Sequence, residues 1–461
     1  MVRASVARVL IPVVVAVSEE HETKKIDSAP VRMRLPYRLD KDDFRTSSVW
    51  WTVCVRVDSP GSYRSLCATV VACAFVASSL VGRSSVSNAQ ATRPACPVDK
   101  GVAEFVSAKS NEQLARGLFM VHVYGSGAST ATPAQRRANV GLYGAPTPGA
   151  VVEAWRPAGV ILIQRNAQDP SRPQLATANI VSATQLRRFT DDLRRDGGDP
   201  NLVVGVDQEG GRVNRLKGIY GSGPSAATFG ATDKATQIVF DEMATNLHRA
   251  GINMDFAPVA DVVFADTPRA GVIGDRSFGS DPAVVVSRVG VAVATLQQRG
   301  IASVAKHWPG HGSSSVDSHV ETPVLDYARD DVAQRNLRPF VTAADQGVAA
   351  IMVGHLAVPA WDPTRRPATI SKPILTRLRS EFCGVIVTDS LWMGGVRRHG
   401  TDGEIVRAAV DAGVDLLLMP VDLKTSIAAL AAEAKRDPTF RARLVEANMR
   451  VETLRRRFVS R

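Results

Sequence analysis

The chain has 461 residues, 45% of them hydrophobic and 22% charged, with a net charge of +11. That composition carries enough apolar material for a full core and argues against a disordered protein, while the length suits one large α/β unit with an extension. The basic excess does not read as a nucleic-acid surface: residues 1–91 hold 12 Lys/Arg against 8 Asp/Glu, and the remaining +7 is dispersed or sits in helical repeats such as 187–195 and 441–457 without interleaved aromatics.

The first ninety residues differ from the rest. Residues 18–60 alternate charge clusters with Pro and Ser and show no sustained period, so residues 1–63 are expected to be a poorly ordered extension. After Arg64 comes an apolar stretch, 66–81, and then Ala89-Gln90-Ala91, the layout of a secretory signal over 64–91. A signal starting so far into the chain implies that Met1 lies upstream of the true start. An uncleaved anchor and a lipid-modified Cys73 are the competing readings, the latter weakened by how little apolar sequence precedes it. Export to the cell envelope or beyond is the expectation. Of five cysteines only Cys96 and Cys383 would survive cleavage, and they are expected either to bridge or to leave Cys383 free in a core strand.

From residue 92 onward one domain is expected. Short apolar runs at 119–123, 159–163, 202–206, 254–258, 301–305, 350–353, 385–387 and 416–419 read as strands buried on both faces. Helical periods lie between them, at 182–195, 235–250, 284–299, 332–346 and 403–412. Eight βα units predict a closed (β/α)8 barrel of the TIM type. Polar residues then follow the strands: Asp207 after the third, Lys306 and His307 after the fifth, His355 after the sixth and Asp389 after the seventh. In such a barrel the carboxyl ends of all strands surround one pocket.

The densest chemistry is the run 306–319, KHWPGHGSSSVDSH, with three histidines, a lysine and an aspartate among glycines and serines. Small residues let backbone approach a ligand while polar side chains converge on it, so this reads as an active-site loop. Metal ligation by His307, His311 and His319 is disfavoured, because Pro309, Gly310 and Gly312 forbid the helix that would align them. No phosphate-loop or dinucleotide fingerprint occurs, so no cofactor is expected.

The segments VDQEGGRVNRL, GDRSFG, KHWPGHGSSSVDSH and VTDSLWMGG resemble the signatures of glycoside hydrolase family 3, in particular its bacterial β-N-acetylglucosaminidases built from a lone barrel. The resemblance covers roughly residues 105–430, and the D-x-H at Asp317–His319 is the feature that selects the subfamily. It implies Asp389 as nucleophile and His319, oriented by Asp317, as general acid/base. Asp207, Arg215, Arg276, Lys306 and His307 match the residues that hold the nonreducing sugar. That set suits a polyol, because carboxylates accept from hydroxyls while Arg and Lys donate. His311 and His355 are read as supporting residues, with His355 lining the pocket floor, and Asp261 as a loop-organising acceptor. The implied substrates are N-acetylglucosamine-containing glycans or muropeptides, hydrolysed with retention; no stable protein partner is implied. A β-glucosidase, a phosphorylase of the same family and an inactive sugar-binding envelope protein remain as alternatives.

Overall fold

The computed structural model describes residues 51–56, 65–70, 96, 99–264, 271–325, 327 and 330–459. The chain divides into two units, Met1–Ala89 and Gln90–Arg461. Within the first, Trp51–Arg56, which falls in the extension expected to be poorly ordered, pairs antiparallel with Ser65–Val70, which overlaps the segment read as a secretory signal. Residues 1–50, Cys73 and the expected cleavage site at 89–91 lie outside the described residues.

The second unit is the expected barrel. Its strands are β1 (Phe119–Val121), β2 (Gly159–Leu162), β3 (Val203–Val206), β4 (Met254–Asp255), β5 (Ala302–Trp308), β6 (Ala350–Val353), β7 (Val385–Thr388) and β8 (Leu417–Leu418). Neighbours pair in parallel from β8 through β1 to β7. A parallel bridge between Val387 and Leu416 brings β7 back to β8 and closes the ring. All eight strands are buried on both faces, which is why they appear in the sequence as continuous apolar runs rather than alternating ones.

Each crossover is helical, and the helix starts are written into the chain. Ser182 caps Ala183–Asp196 and Thr132 caps Pro133–Tyr143, each in a reciprocal box with a glutamine three residues on. Pro282 and Pro438 open their helices at positions where the missing N–H costs nothing. No described helix is long and apolar enough to cross a membrane.

The N-terminal end of the barrel is tied by ion pairs. Asp415, fully buried before β8, accepts from the Ile386 amide and pairs with Arg379, Arg443 and Arg450. Cys383 lies nearby in sequence to β7 but not within it; its side chain is exposed and bonded to Cys96, 287 residues away. The reading of Cys383 as a free core cysteine is therefore corrected: the strand begins two residues later, and the sulfur points outward to its partner.

Candidate active site

The pocket is a cavity of about 350 Å³ at the carboxyl ends of the strands, where barrel enzymes place their chemistry. Strand β3 delivers Asp207 to it, and a short hairpin, Gln208–Gly210 with Val213–Asn214, follows at once and carries Glu209 and Arg215. Arg276 comes from a 3-10 turn, Gly274–Arg276.

Strand β5 runs further than its apolar residues suggested. Lys306 and His307 were expected in a loop after residue 305, yet the strand continues to Trp308, which registers with Val353, and Lys306 bridges Val259. Polar side chains can occupy a buried strand end only if partners replace water. Here they do. Lys306 Nζ lies 2.7 Å from Asp207 Oδ1 and 2.6 Å from Glu209 Oε1. His307 Nδ1 donates to Asp261 Oδ2 at 2.7 Å, and its Nε2 accepts from Arg276 Nη2 at 3.4 Å.

Glu209 is the hub that the sequence reading did not single out. Arg276 grips it with two donors, Nε at 2.7 Å and Nη2 at 2.8 Å, and Lys306 adds a third. Burial pushes its carboxyl up, but the Arg276 and Lys306 charges outweigh that and hold it well below the usual glutamate range. Burial also opposes the charge on Lys306, and Asp207 with Glu209 more than reverses the effect. The pairing of Asp207 with Arg215 is loose at 3.7 Å, so Lys306 is the closer partner of Asp207.

Asp255, at the end of β4, is a second residue missed. It is fully buried, accepts from the Gln208 amide at 2.9 Å through Oδ1, and its Oδ2 has no partner. Burial, reinforced by Asp207 and Glu209, raises its carboxyl well above the ordinary value. Both misses had a signal. Glu209 alternates with Asp207 across one intervening residue, and Asp255 is the one charged residue inside the apolar run 254–258.

Asp261 organises the loop after β5, as expected. Its Oδ1 accepts from the His311 amide at 2.6 Å while Oδ2 holds His307. His311 is buried, and that burial, with His307 beside it, pushes its imidazole down to about 4. Its Nε2 lies 2.9 Å from Ser318 Oγ, so it braces the distal part of the loop while one edge faces the pocket.

There the chain turns at Asp317, whose Oδ1 accepts from both the amide (2.9 Å) and Nδ1 (2.8 Å) of His319. Burial works against the Asp317 charge, but these bonds and the nearby imidazole keep its carboxyl below the usual value. With Nδ1 committed, Nε2 of His319 is the nitrogen left for chemistry, and the residue lines the same pocket as Asp389.

Asp389 follows β7. Its Oδ1 accepts from the Ser390 amide at 2.7 Å. Burial raises its carboxyl, while His307, His355 and His319 together with that amide lower it further, so it is held ionised. His355 does not line the cavity as its strand-end position suggests, and it stands as the supporting residue read from sequence. It is fully buried, donates from Nε2 to the Ser390 carbonyl at 2.9 Å and accepts from Thr369 Oγ1 at 2.7 Å, fixing the turn that presents Asp389.

Of the sequence-predicted residues, Asp207, Arg215, Arg276, Lys306, His307, His311, His319 and Asp389 all border the one cavity, with Asp317 behind His319. The arrangement offers an ionised carboxylate, an imidazole and a wall of alternating donors and acceptors, the parts needed for displacement at a sugar carbon. No group of three or more His, Cys, Asp or Glu among the described residues is arranged to hold a metal ion.

The family model described as glycosyl hydrolase family 3 N terminal domain matches residues 156–454. Beta-hexosaminidase LpqI of Mycobacterium tuberculosis is 38% identical over 256 residues, 52% of this chain and 64% of that protein; the match thus spans somewhat under two thirds of the relative. Among solved structures, a glycoside hydrolase family 3 beta-N-acetylglucosaminidase from Paenibacillus sp. superposes with a TM-score of 0.64 at 27% identity, covering 77% of this chain and 64% of that one. The structure of M. tuberculosis LpqI gives a TM-score of 0.62 at 28% identity, covering 78% of this chain and 97% of that chain.

Proposed function

The chain belongs to glycosyl hydrolase family 3, and from that premise we propose that it is a retaining exo-β-N-acetylglucosaminidase acting on N-acetylglucosamine-terminated glycans, peptidoglycan fragments among them. The observation that carries the reading is the sharing of one cavity by the Asp389 carboxylate and the Asp317-oriented His319 imidazole, opposite a wall built from Asp207, Glu209, Arg215, Arg276 and Lys306. The similarity to proteins named as hexosaminidases supports the sugar class.

In the first step an Asp389 oxygen attacks the anomeric carbon as the glycosidic C–O bond breaks. The proton on His319 Nε2 passes to the departing oxygen, leaving a glycosyl ester and a neutral imidazole. In the second step that imidazole takes a proton from water, the resulting hydroxide attacks the anomeric carbon, and Asp389 leaves as carboxylate. Both steps invert at carbon, so the product keeps the substrate's configuration. Export is part of the proposal, supported by the Cys96–Cys383 bridge, which suits an oxidising compartment. Recovery of the active protein only from the cytosolic fraction of its own cells would reject that part.

The test is a pair of aryl N-acetylglucosaminides, one with a poor and one with a good leaving group. Asp389→Ala abolishes turnover of both. His319→Ala costs about 10²–10⁴-fold on the phenyl glycoside, whose leaving oxygen needs a proton, and far less on the dinitrophenyl glycoside, which leaves unaided. Equal damage to the two by His319→Ala, or residual wild-type turnover in Asp389→Ala, overturns the assignment.

A further inference from the structure

The segment bearing His319 is seated on the chain that follows Asp389, and the seat is made of backbone. Gly394 N donates to the His319 carbonyl at 2.8 Å, and Gly395 N donates to the Ser318 carbonyl at 3.0 Å. Thr322 Oγ1 donates to the Gly395 carbonyl at 2.6 Å and lies 3.1 Å from His399 Nε2. These contacts close so tightly that neither glycine has room for a side chain. A Cβ on Gly394 would overlap the Val320 carbonyl oxygen and stand 3.0 Å from that of His319; one on Gly395 would meet the Ser318 oxygen at 2.8 Å and His355 Cβ at 2.9 Å.

What is held there is the main chain, not the imidazole. Ser318 is 2% exposed, whereas the side chains of Asp317 and His319 are each 45% exposed. Two consecutive carbonyls, those of Ser318 and His319, are pinned to two consecutive amides, and the imidazole between them is left to face the cavity. Gly394 is five residues from Asp389, whose own turn is fixed by the His355 bond to the Ser390 carbonyl. The two reacting groups, which come from different strands, are therefore referenced to a single stretch of backbone.

We propose that Gly394 and Gly395 are positioning residues for proton transfer, setting where His319 stands relative to Asp389 by docking the acid-bearing loop against the nucleophile-bearing one. This rests on the acid role of His319 proposed above. A side chain at position 394 lifts the loop by the thickness of a methyl group, and a displacement of that order removes general-acid assistance without touching the carboxylate.

The experiment compares Gly394→Ala, Thr322→Val and His319→Ala on the phenyl and dinitrophenyl N-acetylglucosaminides. Gly394→Ala is expected to lose at least about 10-fold in kcat/KM on the phenyl substrate and under about 3-fold on the dinitrophenyl one, a weaker copy of the His319→Ala pattern. Thr322→Val keeps the side-chain shape and removes only the hydroxyl that holds Gly395, so it serves if Gly394→Ala does not fold; it moves the ratio in the same direction by about 3-fold. If His319→Ala discriminates between the substrates while Gly394→Ala and Thr322→Val depress both equally or neither, the seat has no part in proton transfer and the inference is overturned. If His319→Ala itself fails to discriminate, the acid assignment falls and takes the inference with it.

Discussion

Glu209→Gln is the sharpest single probe of the pocket wall, because it deletes a charge while keeping the side-chain shape. Glu209 accepts from Arg276 at 2.7 and 2.8 Å and from Lys306 at 2.6 Å, and its side chain is 3% exposed. An amide can still accept on one side, but its NH2 is a donor and then faces a cation that cannot accept. Breaking a buried pair by removing one partner costs about 3–5 kcal/mol; the lower end applies, since Lys306 keeps Asp207 and Arg276 keeps the Val272 carbonyl. With an unfolding entropy of about 2.1 cal/mol/K per residue, a unit of roughly 370 residues has about 0.8 kcal/mol/K, so ~3 kcal/mol lowers Tm by ~4 °C. The sign with pH follows from the depressed carboxyl. Its stabilisation is complete above the ordinary glutamate value of 4.5 and is lost progressively as pH falls below it, so the gap between wild type and variant narrows there. Calorimetric melts from pH 7 to 3 read both effects. A Tm difference under about 1 °C at pH 7, or a gap that stays constant down to pH 3, refutes the account of Glu209 as a charged hub.

Two further outcomes concern stability rather than turnover. Burial pushes His122 and His311 each down to about 4, so the folded state binds fewer protons than the unfolded one between pH 6.5 and 4. Stability is then full above pH 6.5 and falls as pH drops toward 4, by about 3 kcal/mol for each histidine. Urea midpoints should slide over that window, less steeply in His122→Asn, and a midpoint flat from pH 7 to 5 contradicts the burial argument. Reducing the Cys96–Cys383 bridge, which spans 287 residues, should cost about 2–5 kcal/mol. Melts with and without reductant measure it, with Cys383→Ser as the control, and identical curves show the bridge to be idle.

Much of the barrel was legible because its strands are covered on both faces. Apolar runs then mark the strands, and the polar residues after the third, fifth and seventh runs, Asp207, Lys306 with His307, and Asp389, mark the pocket. The same rule explains the errors. Strand β5 was cut short at residue 305 because Lys306 and His307 interrupt the apolar run, although Asp207, Glu209 and Asp261 make those side chains buriable. Glu209 was passed over because a carboxylate in a Gly-rich turn looks solvated in sequence, and only the fold brings Arg276 from 67 residues away. His355 was placed on the pocket floor by its strand-end position, whereas its two hydrogen bonds turn it behind the Asp389 loop. Spacing reports which strand end a residue occupies; it carries no information on which neighbours claim its polar atoms.

That claim on polar atoms is what separates the carboxylates of this pocket into roles. Glu209 has both oxygens committed to cations, and Asp261 has both committed to the β5 loop, so neither can attack a substrate without unmaking the wall. Asp255 is fully buried behind the cavity lining, and burial raises its carboxyl, so it is neither exposed to a substrate nor favoured as an anion. Asp207 is bound to Lys306 through Oδ1 and only loosely met at Oδ2, an acceptor shaped for a hydroxyl. Asp255 and Asp389 are the two of these five that form no ion pair with the described residues, and of the two only Asp389 lines the cavity and has its carboxyl lowered: one amide holds Oδ1, and the surrounding imidazoles favour its charge. A free oxygen on an anchored carboxylate is the arrangement a nucleophile requires, and the neighbouring acids are disqualified by bonds that can be counted.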